Sequence, residues 1–286
     1  MSIKYDHITC DLEVGRDSSK LRGDCLAMRA DQGVQMKIGI LETGLVREEL
    51  ADRHDPYPVM FERLLGLAER KLEFATFSVL RGEMPESIDD CDGWLITGSR
   101  YGVYEKLDWM LVLQDFIREL AAAGRPLIGV CFGHQIIAEA LGGKVVKSEL
   151  GWKVGVQRYD LERRYDWMGE SPSSVAMHAY HQDQIVECPP EAEVFLSSAD
   201  CPLAGLSYGD SIISVQAHPE IEESYERDLL ELFAGRSLPL DLAQQGIASL
   251  DAGIPVDTRL VANWFVEFFL TREMTAQAAP LEQSQA

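Results

Sequence analysis

The chain is 286 residues long, 46% hydrophobic and 26% charged, with a formal net charge of −21. This composition suits a globular protein with one large domain or two small ones, and the charge argues against nucleic acid and anionic membrane surfaces as partners. No apolar run reaches the length of a membrane helix, and a start carrying Asp6, Asp11, Glu13 and Asp17 does not read as a secretory signal.

Residues 1–35 have mixed charge, scattered glycines and no sustained period. They are expected to form a flexible N-terminal extension, with Met36 as an alternative start. The domain is expected over 36–274 and a polar tail over 275–286. The first buried strand reads as 37–41. A helix over 57–70 puts Met60, Phe61, Leu64, Leu65 and Ala68 on one face. Strands are expected at 72–80 and 94–97. The helix 107–123 is expected to turn Leu107, Met110, Leu111, Ile117 and Leu120 inward. Strand 127–130 follows, then a helix carrying Ile136, Ile137, Ala140 and Leu141. Such alternation predicts an α/β fold of three layers, a mostly parallel sheet with helices on both faces. From 143 to 216 the pattern changes to strands with short turns, which suggests an antiparallel excursion. Helices are expected at 222–233 and 258–270. The second is unusually apolar, with Leu260, Val261, Trp264, Phe265, Phe268 and Phe269, and reads as core or as an oligomer or partner surface.

The six cysteines, Cys10, Cys25, Cys91, Cys131, Cys188 and Cys201, form no C-x-x-C pair and no zinc spacing. No metal and no cofactor is expected. With no export signal, reduced thiols in the cytoplasm are the natural reading.

Cys131 stands apart from the others. It falls between the strand 127–130 and the helix that follows, in the positive field of a helix N-terminus, which favours the reactive thiolate. Gly133 permits a bend, and Gly129 and Gly133 permit close approach of backbone and substrate. The pattern is a nucleophile elbow with Cys in place of Ser. Downstream, a strand over 212–216 leads to His218, with Glu220 two residues on. A nucleophile, a base and a carboxylate to orient the base are the needs of thiol acyl-transfer chemistry. His134, just after the elbow, reads as a surface or substrate-rim residue. His178 and His181 make a poor metal pair, because residues three apart on a strand point to opposite faces.

The stretch Gly129-Val-Cys-Phe-Gly-His-Gln135, the later His218-Pro-Glu220 and the glycine loop Asp92-Gly-Trp-Leu-Ile-Thr-Gly-Ser99 together resemble the class I, triad-type glutamine amidotransferases. The resemblance covers about residues 36–220. It is closest to stand-alone members, which include γ-glutamyl peptidases and GMP-synthase-like amidotransferase domains. It implies a flavodoxin-like domain, beyond which the C-terminal helices read above are extra. It also implies Cys131, His218 and Glu220 as catalytic residues, and the backbone N–H groups of Phe132 and Gly98 as an oxyanion hole. Gln135 is implied as a contact to bound glutamine, with a structural role nearly as well supported. His181 and Asp183, in His181-Gln-Asp183, match a further family segment and are assigned to substrate binding. The chain has no G-x-x-x-x-G-K-[ST] loop and no S-G-G-x-D-S loop, so no nucleotide-activating half is expected within these 286 residues.

Three readings stay open. One is a self-sufficient hydrolase of the γ-amide of glutamine or a γ-glutamyl compound, acting through a γ-glutamyl thioester on a small-molecule substrate. Another is a glutaminase subunit that feeds ammonia to a separate synthetase partner. The last is a non-catalytic redox-sensing or binding protein on the same fold. A homo-oligomer is compatible with all of them.

Overall fold

The computed structural model of the chain describes residues 36–278, with side chains described through residue 271. The expected extension 1–35 lies outside the described residues, as do 279–286 of the expected tail. In chain order the elements are β1 (Met36–Leu41), α1 (Tyr57–Gly66), β2 (Leu72–Phe77), β3 (Gly93–Ile96), α2 (Asp108–Ala122), β4 (Leu127–Val130) and α3 (Phe132–Ala140). There follow β5 (Lys144–Lys147), β6 (Lys153–Leu161), β7 (Ser174–His181), β8 (Asp183–Glu187), β9 (Ala192–Ser198), β10 (Cys201–Tyr208) and β11 (Ile212–Val215). The chain closes with α4 (Glu223–Phe233), α5 (Leu240–Asp251) and α6 (Thr258–Ala278).

Nine strands form one sheet in the order β2-β1-β3-β4-β11-β10-β9-β6-β7, and β5 and β8 pair separately. From β2 through β11 the neighbours are parallel. From β11 through β7 they are antiparallel. The 143–216 excursion is therefore antiparallel, as its pattern of short strands and turns suggests. The central parallel strands β3, β4 and β11 are short and buried along their whole length, because helices cover both faces there. On one face α1 and α6 pack Phe61, Leu65, Trp264, Phe265 and Phe269 against Ile38, Ile40, Ile128 and Val130. On the other, α2 and α3 pack Met110, Leu113, Ile117, Phe132 and Ile137 against Trp94, Ile96 and Leu127.

Several local expectations shift. The strand expected at 72–80 ends at Phe77, where its pairing with Leu41 ends, and a short 3-10 turn follows. Leu111 is 46% exposed rather than inward. The buried face of α2 runs through Met110, Leu113, Ile117 and Leu120, spaced three and four apart, and Leu111 sits about 100° off that stripe. Helix α6 continues past the boundary expected at 274/275. Its Val261, Trp264, Phe265, Phe268 and Phe269 are fully buried within this chain, so they are core and not a surface awaiting a partner.

Three loops position the site. In the register Ile96↔Gly129 and Val130↔Val215, β3, β4 and β11 end side by side. The chain leaving each of them therefore emerges at one edge of the sheet, the carboxyl edge where open α/β sheets place their ligands.

Candidate active site

Cys131 leaves the end of β4 with φ 53° and ψ −102° and caps α3. A positive φ is unfavourable for a residue with a Cβ, costing on the order of 1–3 kcal/mol. Neighbours hold it there: the Cys131 N–H donates to the Val215 carbonyl at 2.9 Å, and the Gln135 N–H to the Cys131 carbonyl at 3.0 Å. The bend thus lies at Cys131 itself and not at Gly133, which is already helical. Gly133 serves close packing instead, since a Cβ there would collide with the Ile96 carbonyl, and one at Gly129 would come 2.6 Å from the Gly133 carbonyl. The first turn of α3 leaves its N–H groups without intrahelical partners, and that of Phe132 is the first of them.

His218 emerges beyond β11, and its N–H donates to the His178 carbonyl at 2.8 Å. Its Nδ1 donates to Glu220 Oε1 at 2.7 Å. That leaves Nε2 for the thiol of Cys131, which lines the same cleft. Burial alone would lower the His218 pKa. The negative charges of the Cys131 sulfur and the Glu220 carboxylate outweigh it and hold His218 well above its ordinary value. Carboxylate, imidazole and thiol thus come together at one place, Glu220 bonded to His218 and both His218 and Cys131 lining the same cleft. Burial pushes the Cys91 thiol up to about 11 and that of Cys201 up to about 12.

Gly98 completes this group from the end of β3. A Cβ on Gly98 would lie 3.1 Å from His218 Cε1 and 3.9 Å from Cys131 Cβ, so a side chain there would press on the imidazole. Its carbonyl is tied back by the Thr43 and Thr97 hydroxyls at 3.2 and 3.1 Å. A cleft of about 240 Å³ opens onto the thiol, lined among others by Gly98, Cys131, Gln135, His181, Asp183 and His218. Of the other two expected site residues, Glu220 is buried behind His218, and Phe132 lies beneath the elbow.

Gln135 donates to the Asp183 carbonyl at 2.9 Å and to Gln216 Oε1 at 3.2 Å, so its amide is partly structural. His181 is buried, and neither ring nitrogen makes a hydrogen bond of regular geometry with a protein group. Burial, with the nearby charge of His218, pushes it down to about 3, so it is neutral. Burial raises the Asp183 carboxyl, against the Tyr104 hydroxyl and Lys147, which lower it.

His134 is not at the surface or the substrate rim. It is fully buried, because α3 is enclosed around nearly its whole circumference. Its Nε2 donates to the Leu203 carbonyl at 2.9 Å, and its Nδ1 accepts from Ser214 at 2.7 Å. Burial pushes it down to about 3.

Sequence reading missed three groups. Gln216 Nε2 points at Cys131 Sγ from 3.7 Å, placed there by the β4–β11 register. A polar residue closing an apolar strand two positions before His218 was a signal. His178 donates from Nδ1 to the Ile221 carbonyl at 2.9 Å and so grips the loop that carries Glu220. Glu226, on α4, is fully buried. It accepts the Gly155 N–H at 2.6 Å, and its second oxygen lies 3.5 Å from His178 Nδ1. Burial lifts its carboxyl from 4.5 to about 8, against the Gly155 N–H and the charge of His218.

Residues 69–234, more than half of the chain, match the family model described as glutamine amidotransferase class-I. γ-Glutamyl peptidase 3 of Arabidopsis thaliana is 32% identical over 180 residues, covering 60% of this chain and 71% of that protein. A subunit of the glutamine-hydrolyzing GMP synthase of Thermoplasma acidophilum is 29% identical over 150 residues, 52% of this chain and 73% of the relative. A glutamine amidotransferase structure from Thermotoga maritima superposes with a TM-score of 0.64 at 18% identity, covering 84% of this chain and 98% of the other. That last likeness concerns the fold.

Proposed function

The chain belongs to the class I glutamine amidotransferase family and is an amidohydrolase, and from that premise we propose that it cleaves the γ-amide of a γ-glutamyl compound through a thioester on Cys131. The observation that carries this reading is the placement of the strained Cys131 and of His218, itself hydrogen-bonded to Glu220, on one cleft.

The Cys131 thiolate attacks the γ-carbonyl carbon, and the carbonyl electrons move onto oxygen. The Phe132 and Gly98 N–H groups donate to that oxyanion; one such donor is typically worth about 3 kcal/mol of barrier. The His218 imidazolium protonates the departing nitrogen as the C–N bond breaks, which leaves a γ-glutamyl thioester and a neutral imidazole. His218 then takes a proton from water, the resulting hydroxide adds to the thioester, and glutamate leaves as the thiolate reforms. Glu220 keeps Nδ1 protonated and steadies the imidazolium. Gln135, His181 and Asp183 are assigned to the glutamyl half of the substrate, and Gln216 to holding the sulfur. The need for a thiolate favours a reducing compartment, and we assign the enzyme to the cytoplasm.

Catalysis by the chain alone is favoured over an obligate partner subunit. Leu229 and Phe233, from the helix after Glu220, help to line the cleft, so this chain supplies its own outer wall. The relationship to a GMP synthase subunit supports the other reading, an ammonia-producing subunit with a synthetase partner. Steady-state kinetics on the isolated full chain separates the two. Release of glutamate from glutamine or γ-glutamyl peptides supports the proposal. Negligible turnover that a copurifying ATP-dependent enzyme restores would support the subunit reading.

A further inference from the structure

Arg47 lies in the loop after β1 and lines the catalytic cleft. On a chain of net charge −21, arginines readily find carboxylates: Arg53, Arg63, Arg70 and Arg118 each have one within 2.5–3.1 Å. Among the described residues Arg47 has none, and its guanidinium makes no hydrogen bond. It is nevertheless held in place, half-buried, 4.7 Å above the Phe233 ring. Its charge acts on the hydroxyls of Tyr180 and Tyr225. A planar cation fixed on an aromatic face, with its donor fork unused, is suited to receive a carboxylate in bidentate fashion.

The acids of the lining do not compete for it. Glu105 accepts the Gly102 N–H at 2.8 Å, and Asp183 accepts the Tyr104 hydroxyl at 3.3 Å and pairs in register with Lys147. The remaining cation, Arg100, donates to the Tyr101 hydroxyl at 3.0 Å. Beside Arg47 the wall is apolar and aromatic, formed by Phe233, Leu229 and the Trp152–Tyr180 pair, whose rings lie 5.3 Å apart. Tyr57 and Tyr225, joined through their hydroxyls at 3.1 Å, link the two regions. Tyr57 feels the charges of Cys131 and Glu220, and Tyr225 feels that of Arg47. Arg47 and Cys131 therefore line one cleft, the cleft that must also receive the amine half of a γ-glutamyl amide once its γ-carbonyl is at the thiol.

Building on the thioester reading above, we propose that Arg47 and the Phe233–Trp152–Tyr180 wall form a leaving-group subsite that selects γ-glutamyl amides whose amine carries a carboxylate next to an apolar or aromatic side chain. The preferred substrates are then γ-glutamyl amino acids or peptides, ahead of free glutamine and ahead of amides with a cationic amine.

The test separates binding from turnover. In a Cys131→Ala background, calorimetry measures the affinities of γ-glutamyl-phenylalanine, of its decarboxylated analogue γ-glutamyl-phenethylamine, and of γ-glutamyl-diaminobutane. With Arg47 present, the carboxylate-bearing ligand is expected to bind roughly tenfold to a hundredfold more tightly than the neutral one, the range for a hydrogen bond to a charged group. The cationic ligand should bind more weakly still. Arg47→Met, which keeps length and apolar packing, should bring the ratio of the first two near one, and Arg47→Lys should leave it intermediate. A ratio near one with Arg47 present, a ratio that Arg47→Met does not change, or no binding of any of the three would each overturn the proposal. Kinetics of the parent enzyme report on the thioester reading separately: turnover of γ-glutamyl-phenethylamine without selectivity sinks the subsite alone.

Discussion

The backbone N–H of His218 donates to the carbonyl of His178 at 2.8 Å, while the His178 ring donates to the carbonyl of Ile221 at 2.9 Å. One residue of β7 therefore holds both ends of the short segment that carries the proposed base, His218, and its carboxylate, Glu220. Two histidines in apparent sequence isolation act as support and supported.

Replacing His178 by Ala keeps the backbone bond but leaves the Ile221 carbonyl unpartnered. A buried polar group without its partner costs about 1–3 kcal/mol. The variant's unfolding free energy in a denaturant titration should fall by that amount, and kcat should fall more than KM rises, since the proposed base His218 is loosened and not removed. An unchanged kcat would mean that the loop is held by other contacts.

Glu226 makes stability depend on pH. Its folded value, about 8, lies above its ordinary 4.5 because of burial. The folded state therefore holds a proton that the unfolded chain releases. This contribution is full below about pH 4.5 and is lost as pH rises toward and through 8. Glu226→Gln keeps an oxygen for the Gly155 N–H and removes the titration. The melting temperature of the variant relative to the parent should rise between pH 5 and about 8 and level off above it. A constant difference across that range would show that Glu226 is already ionised in the folded protein.

The pH profile of kcat/KM should report the His218 imidazolium. Its value is raised by Cys131 and Glu220 against burial, so the imidazolium persists above its ordinary 6.5. Activity should not decline as pH passes 6.5, and the alkaline limb should lie well above it. Glu220→Gln removes one of the two supporting charges and should move that limb to lower pH, with a drop in kcat of about tenfold or more. A limb that stays in place in the variant would remove Glu220 from the account.

The local geometry around Cys131 was legible because it is written in short stretches of sequence. An apolar run, a cysteine and a helix in unbroken succession define the elbow, and His218 and Glu220 are two residues apart. The alternation of strands and helices gave the three layers by the same kind of local evidence. What stayed hidden depends on long-range placement. Gln216 reaches the sulfur because of the Val130↔Val215 register, and Glu226 meets Gly155 across 71 residues. His134 was misread because a polar residue on a helix implies water only when the helix has an exposed side, and α3 has almost none. Helix α5 escaped notice because its buried contacts are small, Ala243 and Gly246 besides Leu250, and leave no strong apolar stripe. Arg47 reads as an ordinary surface charge until Phe233 is seen beneath it.

The central claim is that the γ-glutamyl group is carried on Cys131. Rapid acid quench of the full chain during turnover of a γ-glutamyl substrate, followed by peptide mass spectrometry, tests it directly. The account predicts that the peptide containing Cys131 gains the mass of one γ-glutamyl group within the first turnover, while the peptides containing Cys91 and Cys201 do not. Turnover with the group on another cysteine, or turnover that persists after Cys131→Ala, would contradict it.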